Sequence, residues 1–489
     1  MKKTTMAVKY LQNREEAEVD DKKSVSLVIG KVPFSTSAVT SDNISWVLLL
    51  IISQYTIMKE EEISDKTATI KYYKDIPAYG HFLQHHLLPN IPALFGPALT
   101  ESWKARREWV EQSSNNNNNN NSCHDEQQDH SEIPAMQPRF DYLKNEFGSA
   151  QVGVADCIER DFTDQKRSEM SFDEFVKVWP AGRYYLKDWH FVRSFPEYNA
   201  YKVPHVFEDD WMNEYWLKDN KDDYRFVYMG GDGTFTPLHA DVYRSYSWSS
   251  NICGIKKWTL FPPGEERLLK DKLGNLAYDL RSIDPVQFPC TKQAKRIVVY
   301  QRDGETLFVP SGWFHQVENI GLTISINHNW SNACNLGMTF RSLASDLDDV
   351  ERSIDDVRES MAPLEFVQTC QHLLLLHSGW DWCIFLKMLH CIARRLSLSS
   401  HQQQLQKEEK TISPPHELLR LQHHQPDLAW QAQQILDVIE AWNKKTPEKL
   451  LMDEYLEQQG LRTYVQEIKE LLQDILDINK CLSPNKLNI

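Results

Sequence analysis

Two segments decide the reading of this chain: Thr236-Pro237-Leu238-His239-Ala240-Asp241 and Val309-Pro310-Ser311-Gly312-Trp313-Phe314-His315. In an extended strand, side chains alternate between faces, so His239 and Asp241 project to one side and Ala240 to the other. An imidazole beside a carboxylate supplies two members of a 2-His-1-carboxylate triad, which occupies one face of an octahedral iron(II) and leaves three positions open. The second segment reads as a strand, a tight turn and a histidine, and His315 completes the set. The H-x-D spacing alone carries little weight, because His124-Asp125-Glu126 repeats the pattern with a glutamate. Its weight comes from Cys253-Gly254-Ile255-Lys256-Lys257-Trp258-Thr259-Leu260-Phe261. Alternation sets Lys256 with Trp258 and Leu260, and Lys257 with Ile255 and Phe261, so one lysine must share a face with large apolar groups. A buried ammonium is costly unless it meets an anion. The alternative is an edge strand whose lysine snorkels to water.

Outward from these segments, the character from Arg183 to Trp330 is that of strands. They read as 184–186, 224–228, 247–252, 257–261, 296–300, 305–309 and 323–330, punctuated by Gly, Pro, Asp and Asn. Short strands with few helices between them suggest a closed β-structure, a barrel or jelly roll. The polar stretch Glu265–Lys295 reads as a loop outside that core. Upstream, Ser171-Phe172-Asp173-Glu174 has capping-box spacing and starts a helix. After about Thr339 the apolar period becomes 3.6 over Phe340–Met361, Leu364–Leu396, Leu428–Trp442 and Leu450–Ile478, with glutamine-rich Ser400–Glu408 and Pro414-Pro415 as a linker. The expected fold is a mainly β core with flanking helices over residues 66–338, then a C-terminal α-helical region over 339–489. Residues 1–65 match no usable pattern and read as an uncertain N-terminal extension. The asparagine run Asn115–Asn121, inside the polar stretch 112–130, reads as a disordered loop.

Composition bounds the rest. The 489 residues are 41% hydrophobic and 25% charged, close to the globular norm. Lys and Arg number 54 against 69 Asp and Glu, a net charge of −15. That balance argues against nucleic acid as a partner and mildly favours basic ones. Nine cysteines without a C-x-x-C pair indicate neither a zinc ribbon nor a disulfide framework, and read as reduced thiols of a cytoplasmic or nuclear protein. The apolar run Trp46–Ile52 is far shorter than the roughly 20 residues of a membrane helix, so no membrane association is expected.

The H-x-D pair, a G-x-K-x-W strand whose lysine lies fifteen residues after the aspartate, and P-x-G-W-x-H together resemble the JmjC (jumonji) Fe(II)- and 2-oxoglutarate-dependent oxygenases over about 78–330. The resemblance implies a double-stranded β-helix, or cupin-like, core. It makes His239, Asp241 and His315 the iron ligands and pairs Lys256 with the distal carboxylate of 2-oxoglutarate, helped by Thr236 and Tyr185. Asn327 falls near the co-substrate, Asn329 falls where it orients the co-substrate or metal shell, and O2 is the other co-substrate. Ser249 departs from relatives that carry asparagine eight residues after the aspartate. At finer grain, Tyr185–His190, Asp223–Tyr228, Ser247–Ser249 and Ser325–Trp330 are similar to a branch that hydroxylates a lysine of the eukaryotic translation termination (release) factor, yielding succinate and CO2. An N-methyl-lysine demethylase or a non-catalytic binding module are the rival readings. The acid clusters Glu208–Asp210, Asp222-Asp223 and Asp346–Asp356 read as solvated faces or as guides for a basic peptide. The C-terminal helices either support the barrel or form a homodimer interface.

Overall fold

The computed structural model describes residues 70–113, 136–220, 222–409, 425–443 and 448–482. The N-terminal extension, the asparagine run and Pro414-Pro415 lie outside them.

The strands, in chain order, are β1 (Lys71–Tyr73), β2 (Ala93–Phe95), β3 (Val110–Gln112), β4 (Met136–Pro138), β5 (Gln151–Asp161), β6 (Asp164–Ser171), β7 (Tyr184–Trp189), β8 (Arg225–Gly230), β9 (Phe235–His239), β10 (Tyr246–Phe261), β11 (Ile297–Gln301), β12 (Thr306–Val309) and β13 (Phe314–Trp330). Two of them organise the rest. The first half of β10 pairs with β12 and with the second half of β13, whose other edge takes β8. The second half of β10 pairs with β11 and with the first half of β13, whose other edge takes β9. Each long strand thus serves two ladders, the arrangement of a cupin-like double-stranded β-helix. The sequence expectation of separate strands at 247–252 and 257–261 was too fragmentary, because a bulge around Cys253 turns β10 without ending it. Beyond β8 the sheet continues through β7, β5 and β6.

Alternation gives the shared sheet two unlike faces. Val227, Met229, Tyr246, Trp248, Ile324, Ile326, Phe308 and Trp330 lie in one apolar layer with Phe82, Phe95 and Phe207 from the preceding segments. The opposite face carries Tyr185, Tyr228, Ser247, Ser249 and Asn327. Trp258, Leu260, Leu307, Val309 and Val317 form a second buried apolar cluster.

Several local expectations needed correction. Gln112, placed at the start of a disordered loop, ends β3, which pairs with β4. The 265–295 insertion does not loop away: Leu269, Ala277 and Ala294 are buried with Leu238 and Phe261. The helical period of Leu364–Leu396 is two helices, Pro363–Ser378 and Trp382–Glu409, divided at Gly379 with φ 78°. Ser400–Glu408 continues the second of these as helix and is no linker. Likewise Gly460, φ 70°, divides Glu448–Gln458 from Tyr464–Leu482. Glycine terminates helices this way because it takes the left-handed conformation without a Cβ clash. The capping box at Ser171 and Glu174 is present as expected.

The C-terminal helices pack on the β-rich region. Trp211, Met212, Tyr215 and Tyr243 share an apolar cluster with Phe340, Leu343, Trp380 and Phe385, and Arg395 pairs with Glu214 at 2.9 Å. Among the described residues no helix is long and apolar enough to cross a membrane, and the cysteines are free thiols.

Gly254 makes the turn within β10 possible, with φ 76°, and a Cβ there would meet the Leu322 carbonyl oxygen at 2.4 Å. Gly254→Ala should lower unfolding free energy by at least about 1 kcal/mol, the cost of one left-handed L-residue. Urea denaturation checks this, and an unchanged midpoint would contradict the turn geometry.

Candidate active site

β9 ends at His239 and does not run on through Asp241, which stands at the start of the tight turn Val242–Arg244. The H-x-D pair therefore does not lie within one strand. Its side chains still converge, because Asp241 keeps an extended backbone (φ −57°, ψ 148°). His239 and His315 are direct cross-strand partners, their ring centroids 4.3 Å apart. The ligand atoms of His239, Asp241 and His315 all lie within 4.8 Å of one another. The Nδ1 atoms of the two histidines bond the carbonyl oxygens of Pro237 at 2.8 Å and Trp313 at 3.0 Å. With Nδ1–H donating, each Nε2 keeps its lone pair for a metal. Burial and the neighbouring His315 push protonation of His239 down, which holds the imidazole neutral, the form a metal requires. Ser247 Oγ donates to Asp241 Oδ2 at 2.7 Å and orients the carboxylate. This donor set fits iron(II).

The turn carrying Asp241 is strained. Tyr243 and Arg244 are consecutive non-glycine residues at φ 57° and 50°, a conformation that surrounding structure must hold. Tyr243 supplies one clamp: its phenol donates to Gly379 O at 3.0 Å and accepts from Tyr224, while its ring packs 4.1 Å from that of Trp380. Ser311, in the turn before His315, supplies the other by donating to the Arg244 carbonyl. The segment joining two C-terminal helices thus braces the turn that carries Asp241, a candidate metal ligand.

Lys256 is 1% exposed. It donates to Tyr185 Oη at 3.0 Å and to Asn319 Oδ1 at 2.9 Å, and Asn319 and Thr236 also reach the Tyr185 phenol. Lys257 points the other way, to Glu318 at 3.1 Å. The snorkelling alternative therefore fails: Lys256 is the inward lysine. Its partners are neutral, and burial lowers it to about 7. An ammonium and a phenol converging in a buried pocket suit one carboxylate of 2-oxoglutarate by charge-assisted hydrogen bonding. Asn319 was not among the sequence candidates. Its signal was a polar residue in mid-strand, but its place opposite Lys256 required the β10–β13 register.

Asn327 Oδ1 accepts from Ser249 Oγ at 3.1 Å, so the departure at Ser249 is matched across the ladder. Asn329 Nδ2 bonds Ser245 Oγ at 3.2 Å and its carbonyl accepts from Asn213, which makes it a brace beside Ser247. Two acid clusters contain buried carboxylates, Asp223 and Asp209. Asp223 is buried between His190 and Arg225, and Arg193 takes Asp222, so this second His–Asp group is an ion-pair network. Asp209 accepts from Trp211 Nε1, Asp210 caps the helix Trp211–Tyr215, and burial raises them to about 6 and 7. Asp349 and Asp355 are solvated, as expected.

Bound here, iron(II) and 2-oxoglutarate would supply oxidative decarboxylation coupled to hydroxylation of a C–H bond. Lys256→Ala should weaken 2-oxoglutarate binding about 10- to 100-fold, the equivalent of roughly 1.5–3 kcal/mol, while Lys257→Ala changes it little. Equal losses in an anaerobic titration would contradict the strand register. A carboxylate beside Lys256 restores its charged form, so binding above about pH 7 takes up a proton and binding well below it does not. Calorimetry of the metal-loaded protein in buffers of different ionisation enthalpy reads this uptake directly, and Lys256→Met should reduce it.

Comparison with known proteins agrees with this geometry. Residues 80–335 match the cupin-like domain family. A Danio rerio protein named 2-oxoglutarate and iron-dependent oxygenase JMJD4 is 41% identical over 338 residues, covering 65% of this chain and 73% of the relative. Its Homo sapiens namesake is 38% identical over 332 residues, covering 65% and 74%. A protein of Arabidopsis thaliana named arginine-specific demethylase JMJ20 is 41% identical over 327 residues, covering 62% and 65%. With its His239–Asp241–His315 centre and buried Lys256, the chain belongs to the cupin-like JmjC family of 2-oxoglutarate- and iron-dependent oxygenases represented by the JMJD4 proteins.

Proposed function

We propose that this oxygenase hydroxylates a side-chain carbon of a lysine in a protein substrate, and that the substrate is the eukaryotic translation release factor. The observation that carries the cationic target is Asp188. Its carboxylate accepts from Tyr228 Oη at 2.6 Å and stays 43% exposed on the strand that supplies Tyr185. Its ionic partner, Arg167 at 2.9 Å, is itself 41% exposed; such a surface pair is worth little and exchanges readily for another cation. A lysyl ammonium pairing there would fix the side chain's polar end. The release factor comes from the similarity of Tyr185–His190, Ser247–Ser249 and Ser325–Trp330 to the lysyl-hydroxylating branch. Asp188 would accept a methylated arginine or lysine as well, and the JMJ20 relative favours demethylation as the second reading.

The two outcomes diverge only after C–H hydroxylation. A hydroxyl on a side-chain carbon persists, whereas one on an N-methyl group is lost as formaldehyde. Mass spectrometry of release factor incubated with enzyme, iron(II), ascorbate and 2-oxoglutarate should show the gain of one oxygen atom on a lysine. Formaldehyde from methylated peptides, with no gain on the release factor, would replace this reading with demethylation.

A further inference from the structure

β7 carries a bulge on the wall of the site. In its ladder with β8, Leu186 stands opposite Met229 and Trp189 opposite Val227, so Lys187 and Asp188 together face the single residue Tyr228. Leu186 and Trp189 both enter the apolar layer. Alternation sets Lys187 two residues after Tyr185 on the same face, and the extra residue, accommodated by Asp188 at φ 59°, turns Trp189 back into the apolar layer. Bulges re-aim side chains in this way beside active sites.

Lys187 is 6% exposed. Its ammonium lies 5.8 Å from the Tyr185 ring centroid, against 5.5 Å for Lys256, and its contact with Gln165 Oε1 is long, at 3.4 Å. Burial lowers its protonation, and the neighbouring Asp188 carboxylate offsets only part of that cost.

The register says which end of the cavity Lys187 occupies. Tyr185 is opposite Gly230, which is opposite Thr323; Trp189 is opposite Val227, which is opposite Ile326. Farther along β13 in the same direction, Asn329 is opposite Ser247, the residue that orients Asp241. Two residues along a strand span roughly 6–7 Å, so the Lys187 backbone is displaced from the Tyr185 row toward the row of Asn329 and Ser247. Its charge acts on both His239 and Lys256.

We propose that Lys187 is a second cationic anchor of 2-oxoglutarate, holding the carboxylate of the oxo-acid end while Lys256 holds the distal one. The assignment rests on the co-substrate that family membership establishes. It places one ammonium at each end of a dianion.

The test is anaerobic titration of the iron(II)-loaded full chain, followed by the charge-transfer absorption of the chelate. Two ligands are compared: 2-oxoglutarate, and 2-oxovalerate, which keeps the oxo acid and lacks the distal carboxylate. Lys187→Met should weaken both about 10-fold or more, whereas Lys256→Met should weaken 2-oxoglutarate alone. Lys187→Gln keeps a polar group beside Gln165 and should lose the same affinity, which separates charge from folding; iron(II) affinity and the melting temperature are read on both variants. Unchanged binding, or a loss confined to 2-oxoglutarate, overturns the proposal. Failure of the wild-type protein to bind either ligand removes the co-substrate, and the proposal with it.

Discussion

The burial of the Lys256 ammonium is the constraint around which this site is built. Its two hydrogen-bond partners come from β7 and β13, far from β10 in sequence. Both are neutral, so they satisfy donors without cancelling charge, and the lysine is left at about 7. Stabilising a charge by dipoles alone keeps the pocket selective for an anion that brings its own charge. The fold must therefore hold three distant strands in register before any co-substrate can be recognised. The bulge at Cys253 and the left-handed Gly254 let β10 pass from one ladder to the other and still present Lys256 inward.

The same alternation explains how a polar cavity exists inside a stable barrel. Ser247, Ser249 and Asn327 face the site, while Tyr246, Trp248, Ile326 and Trp330 on the same strands enter the apolar layer behind it. Stability is placed outside the sheet, where aromatic burial is large, and the inner face is free to carry chemistry. His328 shows the division within one string. It lies on the outer face, stacked on Trp248 and bonded to Tyr201, and burial keeps it neutral, whereas its neighbour Asn327 lines the cavity.

The metal centre depends on elements that carry no ligand. Asp241 sits on a turn with two left-handed residues, and that turn is held by Tyr243 against Gly379 and Trp380 and by Ser311 through Arg244. A strained turn persists only when its surroundings over-determine it. The helical region is thus coupled to the candidate metal site through one tyrosine, and Ser311 couples the Asp241 turn to the strand that carries His315.

Short-range chemistry was legible in the sequence. The H-x-D spacing, the capping box and the helical period after Thr339 rest on spacings of two to four residues; alternation set the two lysines on opposite faces, and the fold decided which of them is buried. Tertiary structure alone decided the rest. Asn319 meets Lys256 only through cross-strand register. Asp223 and Asp209 are buried among partners supplied by other elements. Trp189 joins Leu186 in the apolar layer only because β7 gains a residue against β8. The glutamine-rich segment is helix because it continues a helix that packs on the core. Direction along one element follows from local periodicity; burial, register and charge compensation depend on residues that meet only when the chain has folded.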